Sequence, residues 1–279
     1  MRCVKAFAAV ALLLCVWPAR AVQEGGGRMV RAGGARLHLE ASGSGATTVV
    51  LEAGFGGTSE DWGKVQPEVA RFARVVSYDR AGVGKSEPGR GPRTATRVAR
   101  ELHEALRAAK LAPPYVLVGQ SAGAAYVRVF ARLYPKEVAG LVLIVPPQEE
   151  FLDWLKAHRP GEYGMPAERL AKLPEGMRAE WEARERTVEE MRAAWPLPRV
   201  PVVLLTSERD DQSLSEGISP EALRVLSDAR AGWLVRVPGA RHVVAKKAGH
   251  NVPREEPELV VETIRQVLAE TDKSRGQRR

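Results

Sequence analysis

Short apolar runs alternate with amphipathic stretches along most of the chain. Thr47–Glu52, Tyr115–Val118 and Val138–Val145 consist almost entirely of apolar and β-branched residues, which is typical of strands buried on both faces. Between such runs, Thr94–Leu111 carries apolar residues three and four positions apart, the spacing of an amphipathic helix. This alternation predicts an α/β fold whose mostly parallel, doubly wound sheet is covered by helices on both faces.

The pattern also predicts how the fold begins and ends. Residues 29–31 and 36–39 flank Gly33-Gly34 and indicate an antiparallel N-terminal β-hairpin. A helix is expected from about Ser59, with Ser59 or Asp61 as its cap. The other predicted elements are strands at 74–79, 200–206 and 242–245, a helix at 122–134 and a last helix that begins at Pro257.

One long segment, residues 148–199, has no strand pattern. It is rich in Glu and Arg and holds three of the six tryptophans. So long a connection inside a compact domain is usually functional or disordered, and its aromatic residues predict a helical cap over a pocket. The alternative is a peripheral helical subdomain that only packs against the sheet. The core is then expected at 28–147 and 200–272, followed by a disordered basic tail at 273–279.

The first residues have the pattern of a secretory signal. Arg2 and Lys5 precede an apolar run, residues 6–17, and small residues at 19 and 21 suit cleavage near Ala21. Residues 1–21 are therefore expected to be a signal peptide, and the protein to be periplasmic or secreted. A membrane anchor is the alternative, but the apolar run is short for a bilayer.

Composition narrows the classes of partner. The formal net charge of +8 is scattered over the chain, apart from the tail, so nucleic-acid binding is not expected. Both cysteines, Cys3 and Cys15, lie in the predicted signal, which argues against disulfides and cysteine-bound metal. We expect a small-molecule substrate, no cofactor and no metal, and no stable membrane insertion after signal removal. The sequence leaves the oligomeric state open.

A candidate nucleophile follows the predicted strand at 115–118. Gly119-Gln120-Ser121-Ala122-Gly123 leads directly from this strand into a predicted helix. A serine at so tight a strand-to-helix turn has a strained backbone, and the residues two positions away on either side must be small. The turn raises the hydroxyl above the sheet and directs the N–H of Ala122 toward an anion formed beside it. Ser121 is the predicted nucleophile.

With this turn, most of residues 28–271 resembles the α/β-hydrolase superfamily. Ala53–Gly57 resembles the loop that supplies a second oxyanion donor, which implies the N–H of Phe55. Tyr78–Ser86 resembles the family's Asp-x-Arg-Gly-x-Gly-x-Ser loop, and Ala248–Asn251 its histidine loop. The chain departs from many relatives at Ala53, where they have histidine, and at Ala81, where they have glycine.

A serine hydroxyl needs an imidazole to accept its proton. His250 follows Gly249 on a loop after the last predicted strand and is the expected base, whereas His242 opens that strand and is expected to be structural. The remaining histidines are His38, His103 and His158.

The resemblance also implies a carboxylate between the serine and the histidine. The family's Gly-x-x-Asp turn carries over to Ser207–Asp210 and implies Asp210 as the acid. Asp211 and Glu208 remain alternatives, because a one-residue bulge would change the choice.

These residues predict a serine hydrolase that cleaves a small or medium hydrophobic carboxylic ester through an acyl-enzyme. A carbon–carbon bond hydrolase or an N-terminal aminopeptidase would use the same triad. Four acidic residues of the cap segment keep the peptidase open, namely Glu149, Glu150, Glu189 and Glu190. A ligand-binding module on the same scaffold is the alternative from another class. The serine argues against epoxide hydrolase or haloalkane dehalogenase chemistry, for which the family uses aspartate.

Overall fold

The structure, a computed structural model, describes residues 27–209 and 219–276. Its eight-stranded sheet has the order β1-β2-β4-β3-β5-β6-β7-β8. The strands are β1 Arg28–Ala32, β2 Ala35–Ser42, β3 Thr48–Glu52, β4 Arg74–Tyr78, β5 Tyr115–Gln120, β6 Val138–Ile144, β7 Val202–Ser207 and β8 Arg241–Ala245. β2 is antiparallel to both β1 and β4, and the other pairs are parallel. The predicted α/β class and its antiparallel start are confirmed.

Helices cover both faces of this sheet. They are α1 Gln66–Ala70, α2 Ala95–Ala108, α3 Ala122–Leu133, α4 Glu149–His158, α5 Pro160–Tyr163, α6 Ala167–Ala171, α7 Glu175–Glu182, α8 Arg184–Ala193, α9 Pro220–Arg236, α10 Val252–Glu255 and α11 Pro257–Gly276. Within residues 27–209 and 219–276, every helix is too short or too polar to span a bilayer. Alternate strand residues divide between two cores: Leu117 packs with α2 and α3, whereas Val116 and Val118 pack with α1 and α11. Strands buried on both faces explain the uninterrupted apolar runs.

Two local predictions need correction. The helix expected from Ser59 is a short 3₁₀ turn, Ser59–Trp62, whose cap is Thr58, and Asp61 accepts the Thr58 N–H. A 17-residue helix, α9, was not predicted at all. Its buried residues have helical spacing, but charged residues and Gly232 interrupt the pattern.

Three predicted segments lie wholly or partly outside the described residues. The signal peptide, residues 1–21, is one of them, so export stays a prediction. Asp210 and Asp211 also lie outside the described residues, so the choice of the acid stays a prediction. Helix α11 extends to Gly276, four residues into the segment assigned to a tail, and residues 277–279 are not described.

Helices α4–α8 lie between β6 and β7, and we call this segment, residues 149–193, the insertion. Its first helix is anchored to the core by Arg128 of α3, whose Nη2 lies 2.6 Å from Glu149 Oε1. The Arg128 guanidinium is fully buried and lies over the rings of Trp195 and Trp233, at 4.9 and 4.5 Å from their centroids. The insertion is thus tied to α3, the helix that begins beside Ser121.

Candidate active site

Ser121 lies at the carboxyl edge of the sheet, between β5 and α3. Its backbone has φ 52° and ψ −121°, in a region that residues with a side chain rarely adopt. The Ser121 N–H donates to Ile144 O of the neighbouring strand at 2.8 Å, which holds the turn in place. The side chain is partly exposed. These features are those of a strained strand-to-helix turn, which is the geometry predicted for Ser121.

The two glycines of the turn are required by close backbone contacts. A Cβ on Gly119 would lie 2.5 Å from Gly123 O, and one on Gly123 would lie 2.3 Å from Glu52 O. Neither carbonyl can move without displacing its chain. The spacing of small residues around Ser121 therefore reflects direct packing between β5, α3 and the end of β3.

The loop after β3 passes directly beside Ser121. A Cβ on Gly54 would lie 3.4 Å from the Ser121 Cβ and 2.3 Å from Gln120 Oε1. Phe55 follows Gly54, and Ala122 follows Ser121, so the two predicted oxyanion donors come from two chain segments that both adjoin the serine. The Phe55 ring packs edge-on against Trp181 of the insertion, with centroids 5.9 Å apart.

The histidine loop is bound to the nucleophile turn. Gln120 Nε2 donates to His250 O at 3.1 Å, across 130 residues of sequence. Glu255 accepts the Gly249 N–H at 2.8 Å, and Glu256 accepts the Lys247 N–H at 3.0 Å. Sequence reasoning missed the roles of Gln120 and Glu255, because their partners are backbone groups and leave no pattern.

The end of β7 also meets the histidine loop. Ser207 pairs with Ala245 in the sheet, and its Oγ donates to Ala248 O at 2.6 Å. The serine that replaces the family's glycine is thus buried and ties this strand end to the loop of His250. Asp210 comes three residues later, outside the described residues, and Glu208 is exposed.

The other four histidines contact groups elsewhere. The partners are Asp79 for His38, Glu137 for His103, the carbonyl of Trp154 for His158 and Thr206 for His242. The last contact, 2.9 Å from His242 Nε2 to Thr206 Oγ1, lies between β8 and β7 and supports the structural role expected for His242.

A buried charged cluster lies beneath the loop after β3. Arg80 donates to Ala53 O at 2.8 Å and to Gly54 O at 2.7 Å, and it pairs with Glu52 and with Glu180 of the insertion. Burial opposes the charge of Arg80, but Glu180 and Glu52 outweigh it and raise its pKa well above the usual value. Burial raises the pKa of Glu52 against the opposing effect of Arg80. The family's Asp-x-Arg motif includes Arg80, but no sequence pattern predicted its contact with Glu180, which lies 100 residues further along the chain.

Comparisons with known proteins agree with this architecture. The family model described as alpha/beta hydrolase fold matches residues 47–171. The uncharacterized protein YqjL of Bacillus subtilis (strain 168) is 30% identical over 224 residues, which cover 78% of this chain and 82% of that protein.

Two similar solved structures carry different activities in their names. A thermophilic esterase from Thermogutta terrifontis is 21% identical with TM-score 0.58, over 88% of this chain and 99% of its own. An epoxide hydrolase from Vigna radiata is 16% identical with TM-score 0.72, over 88% of this chain and 98% of its own. At these identities the likeness shows the fold alone. The matched family model, the relative and the strained serine turn in a mostly parallel sheet together show that this chain belongs to the α/β-hydrolase superfamily and is a hydrolase.

Proposed function

We propose that the protein is a serine hydrolase that cleaves small or medium hydrophobic carboxylic esters. Ser121 is the nucleophile, His250 the base and Asp210 the acid, and the N–H groups of Phe55 and Ala122 bind the oxyanion. One observation carries the proposal: the strained turn of Ser121 is in close contact with Gly54 of the loop after β3 and is hydrogen-bonded, through Gln120, to the loop of His250.

The reaction has two steps. The Ser121 oxygen attacks the ester carbonyl while His250 accepts the serine proton and passes it to the departing alcohol. A water molecule, deprotonated by His250, then attacks the acyl group, and the acid leaves as the serine regains its proton. The two N–H groups stabilise the negative oxygen that forms in each step.

The pairing of the insertion's acidic residues favours an ester over a peptide substrate. A cage for a substrate amine needs carboxylates that are not already neutralised. Glu149 pairs with Arg128, Glu150 with Arg236, and both Glu189 and Glu190 with Arg186. Three arginines therefore partner these four carboxylates, which leaves one unit of negative charge among them for a substrate amine.

A serine at the turn also supports carbonyl chemistry over epoxide opening. A carboxylate nucleophile forms an ester that water hydrolyses, whereas a serine ether would have no such route back to free enzyme. A carbon–carbon bond hydrolase with the same triad is the second candidate in this class.

Active-site labelling tests the proposal. A fluorophosphonate should form one adduct on the wild type and none at this position on Ser121→Ala, and a series of p-nitrophenyl esters should be hydrolysed only by the wild type. Absence of a Ser121-dependent adduct would refute the proposal and favour a ligand-binding module. Diketone and aminoacyl-amide substrates in the same assay separate the alternative hydrolases.

Paired variants identify the acid. Asp210→Asn should lower kcat by about 10⁴-fold, as expected when the imidazole loses the carboxylate that sets its tautomer. Asp211→Asn is the matched control and should retain most activity. The reverse result would assign the role to Asp211.

A further inference from the structure

Arg80 fixes the peptide unit that carries a predicted oxyanion donor. Its Nη2 donates to Gly54 O at 2.7 Å. Gly54 O and the Phe55 N–H belong to the same planar trans peptide, so they point in opposite directions. A Cβ built on Gly54 would lie 3.4 Å from the Ser121 Cβ, so this peptide unit lies beside the serine. The guanidinium, together with the Gly57 N–H that donates to the same carbonyl at 3.0 Å, therefore holds this peptide unit in one orientation.

Glu180 in turn fixes the plane of that guanidinium. Arg80 Nε lies 2.6 Å from Glu180 Oε1 and Nη2 lies 3.1 Å from Oε2, a two-point contact. Both side chains are buried, at 1% and 0% exposure, so water does not compete for these bonds. A planar fork that is held at two points cannot rotate without breaking both.

Glu180 belongs to α7 of the insertion. This helix packs against the loop after β3, which contains Gly54 and Phe55. The Met177 Cε is 2.3 Å from the position a Gly56 Cβ would take, and a Cβ on Gly176 would lie 2.3 Å from Gly82 O. Trp181 packs against the Phe55 ring. The helix that carries Glu180 thus docks where the oxyanion loop and the Arg80 loop meet.

We propose that Glu180 is a positioning residue for the oxyanion hole. Through Arg80 it holds the Gly54–Phe55 peptide with its N–H toward Ser121, so docking of α7 and completion of the hole are a single event. This inference rests on the proposed function, because the hole acts only if an oxyanion forms at Ser121.

Glu180→Gln tests the coupling with little change of shape. The amide keeps one acceptor and loses the other, and Glu52 still balances the charge of Arg80. Because an oxyanion donor acts in the transition state and not on bound substrate, kcat for p-nitrophenyl acetate should fall about tenfold with KM within about twofold. Labelling by the fluorophosphonate should slow by a similar factor. Glu182→Gln, at an exposed position of the same helix, is the matched control and should resemble the wild type.

Amide hydrogen exchange of residues 53–57 gives a readout independent of turnover. We expect faster exchange at these amides in Glu180→Gln and not in Glu182→Gln. An effect confined to KM, an unchanged kcat, or exchange equal to the control would each overturn the proposal. Should Glu180→Gln lack a thermal unfolding transition, Glu180→Asp, which keeps the charge with a shorter reach, is measured in the same way. Full turnover by Ser121→Ala would instead refute the proposed function, and the exchange comparison would still decide whether Glu180 orders the loop.

Discussion

Substitution of Gly123 by alanine should damage the active site far more than the fold. The new Cβ would lie 2.3 Å from Glu52 O and 2.6 Å from Ala53 O. Carbon and carbonyl oxygen normally approach no closer than about 3.3 Å, so one chain segment must move by roughly 1 Å. Glu52 is paired with Gly119 in the sheet, and Ala53 O is held by Arg80. The strain is therefore expected to pass into the oxyanion loop.

The magnitudes follow from two opposing effects. Overpacking of this kind costs about 1–3 kcal/mol, while replacing a helical glycine returns up to about 1 kcal/mol. With the full return, the net loss is at most about 2 kcal/mol, which corresponds to a fall in Tm of at most about 8 °C for a domain of this size. A displacement of about 1 Å at a reacting centre costs about 100-fold in rate.

The assay compares ester hydrolysis and thermal unfolding with a matched control. Gly232 lies in α9, where an added Cβ meets nothing within 4 Å. Gly232→Ala should keep kcat and gain about 0.5–1 kcal/mol of stability. If Gly123→Ala kept both kcat and Tm, or if both variants lost activity equally, the contact argument would be wrong.

Three further predictions concern the insertion anchor and the histidine loop. Glu149→Gln should lower the free energy of unfolding, measured in urea, by about 3 kcal/mol, because it leaves Arg128 buried without its charge partner. Glu150→Gln is the control: its partner lies at the surface, so the loss should be under about 1 kcal/mol. Equal losses would contradict the role of the Glu149–Arg128 pair as the anchor of the insertion. Burial raises the pKa of Glu149, but the charge and hydrogen bond of Arg128 outweigh it, so the pKa is lowered from its usual 4.5. The ionised carboxylate therefore stabilises the fold above pH 4.5, and this contribution is lost as the pH falls from there through the lowered pKa. Tm measured from pH 7 to pH 3 should fall less steeply in Glu149→Gln than in the wild type, and parallel curves would contradict the linkage. Gln120→Ala removes the hydrogen bond to the carbonyl of His250, which is worth about 1 kcal/mol, and should lower kcat/KM for p-nitrophenyl acetate about tenfold. An unchanged kcat/KM would show that this hydrogen bond does not position the histidine loop.

Much of the fold was predictable because its causes are local. A parallel strand covered on both faces needs apolar residues at every position, so Tyr115–Val118 is recognisable from its own composition. The turn at Ser121 is equally local: the strained φ of Ser121 and the close contact of Gly119 with Gly123 O both arise within five residues. The cap at Thr58 was missed because the neighbouring Ser59 and Asp61 are equally suitable cap residues. The helix α9 was missed because charged residues and Gly232 interrupt its apolar spacing.

The amino-acid sequence by itself determined the alternation of strands and helices and the position of the strained turn at Ser121, since periodicity and steric limits act between near neighbours. Only the tertiary structure decided what surrounds that serine. Gln120 meets the carbonyl of His250, and Arg80 meets Glu180, across 130 and 100 residues. The first pair forms because the carboxyl ends of parallel strands converge on one edge of the sheet. The second forms because α7 of the insertion packs on the loops that follow β3 and β4. A hydrogen bond between residues brought together in this way imposes no spacing along the chain.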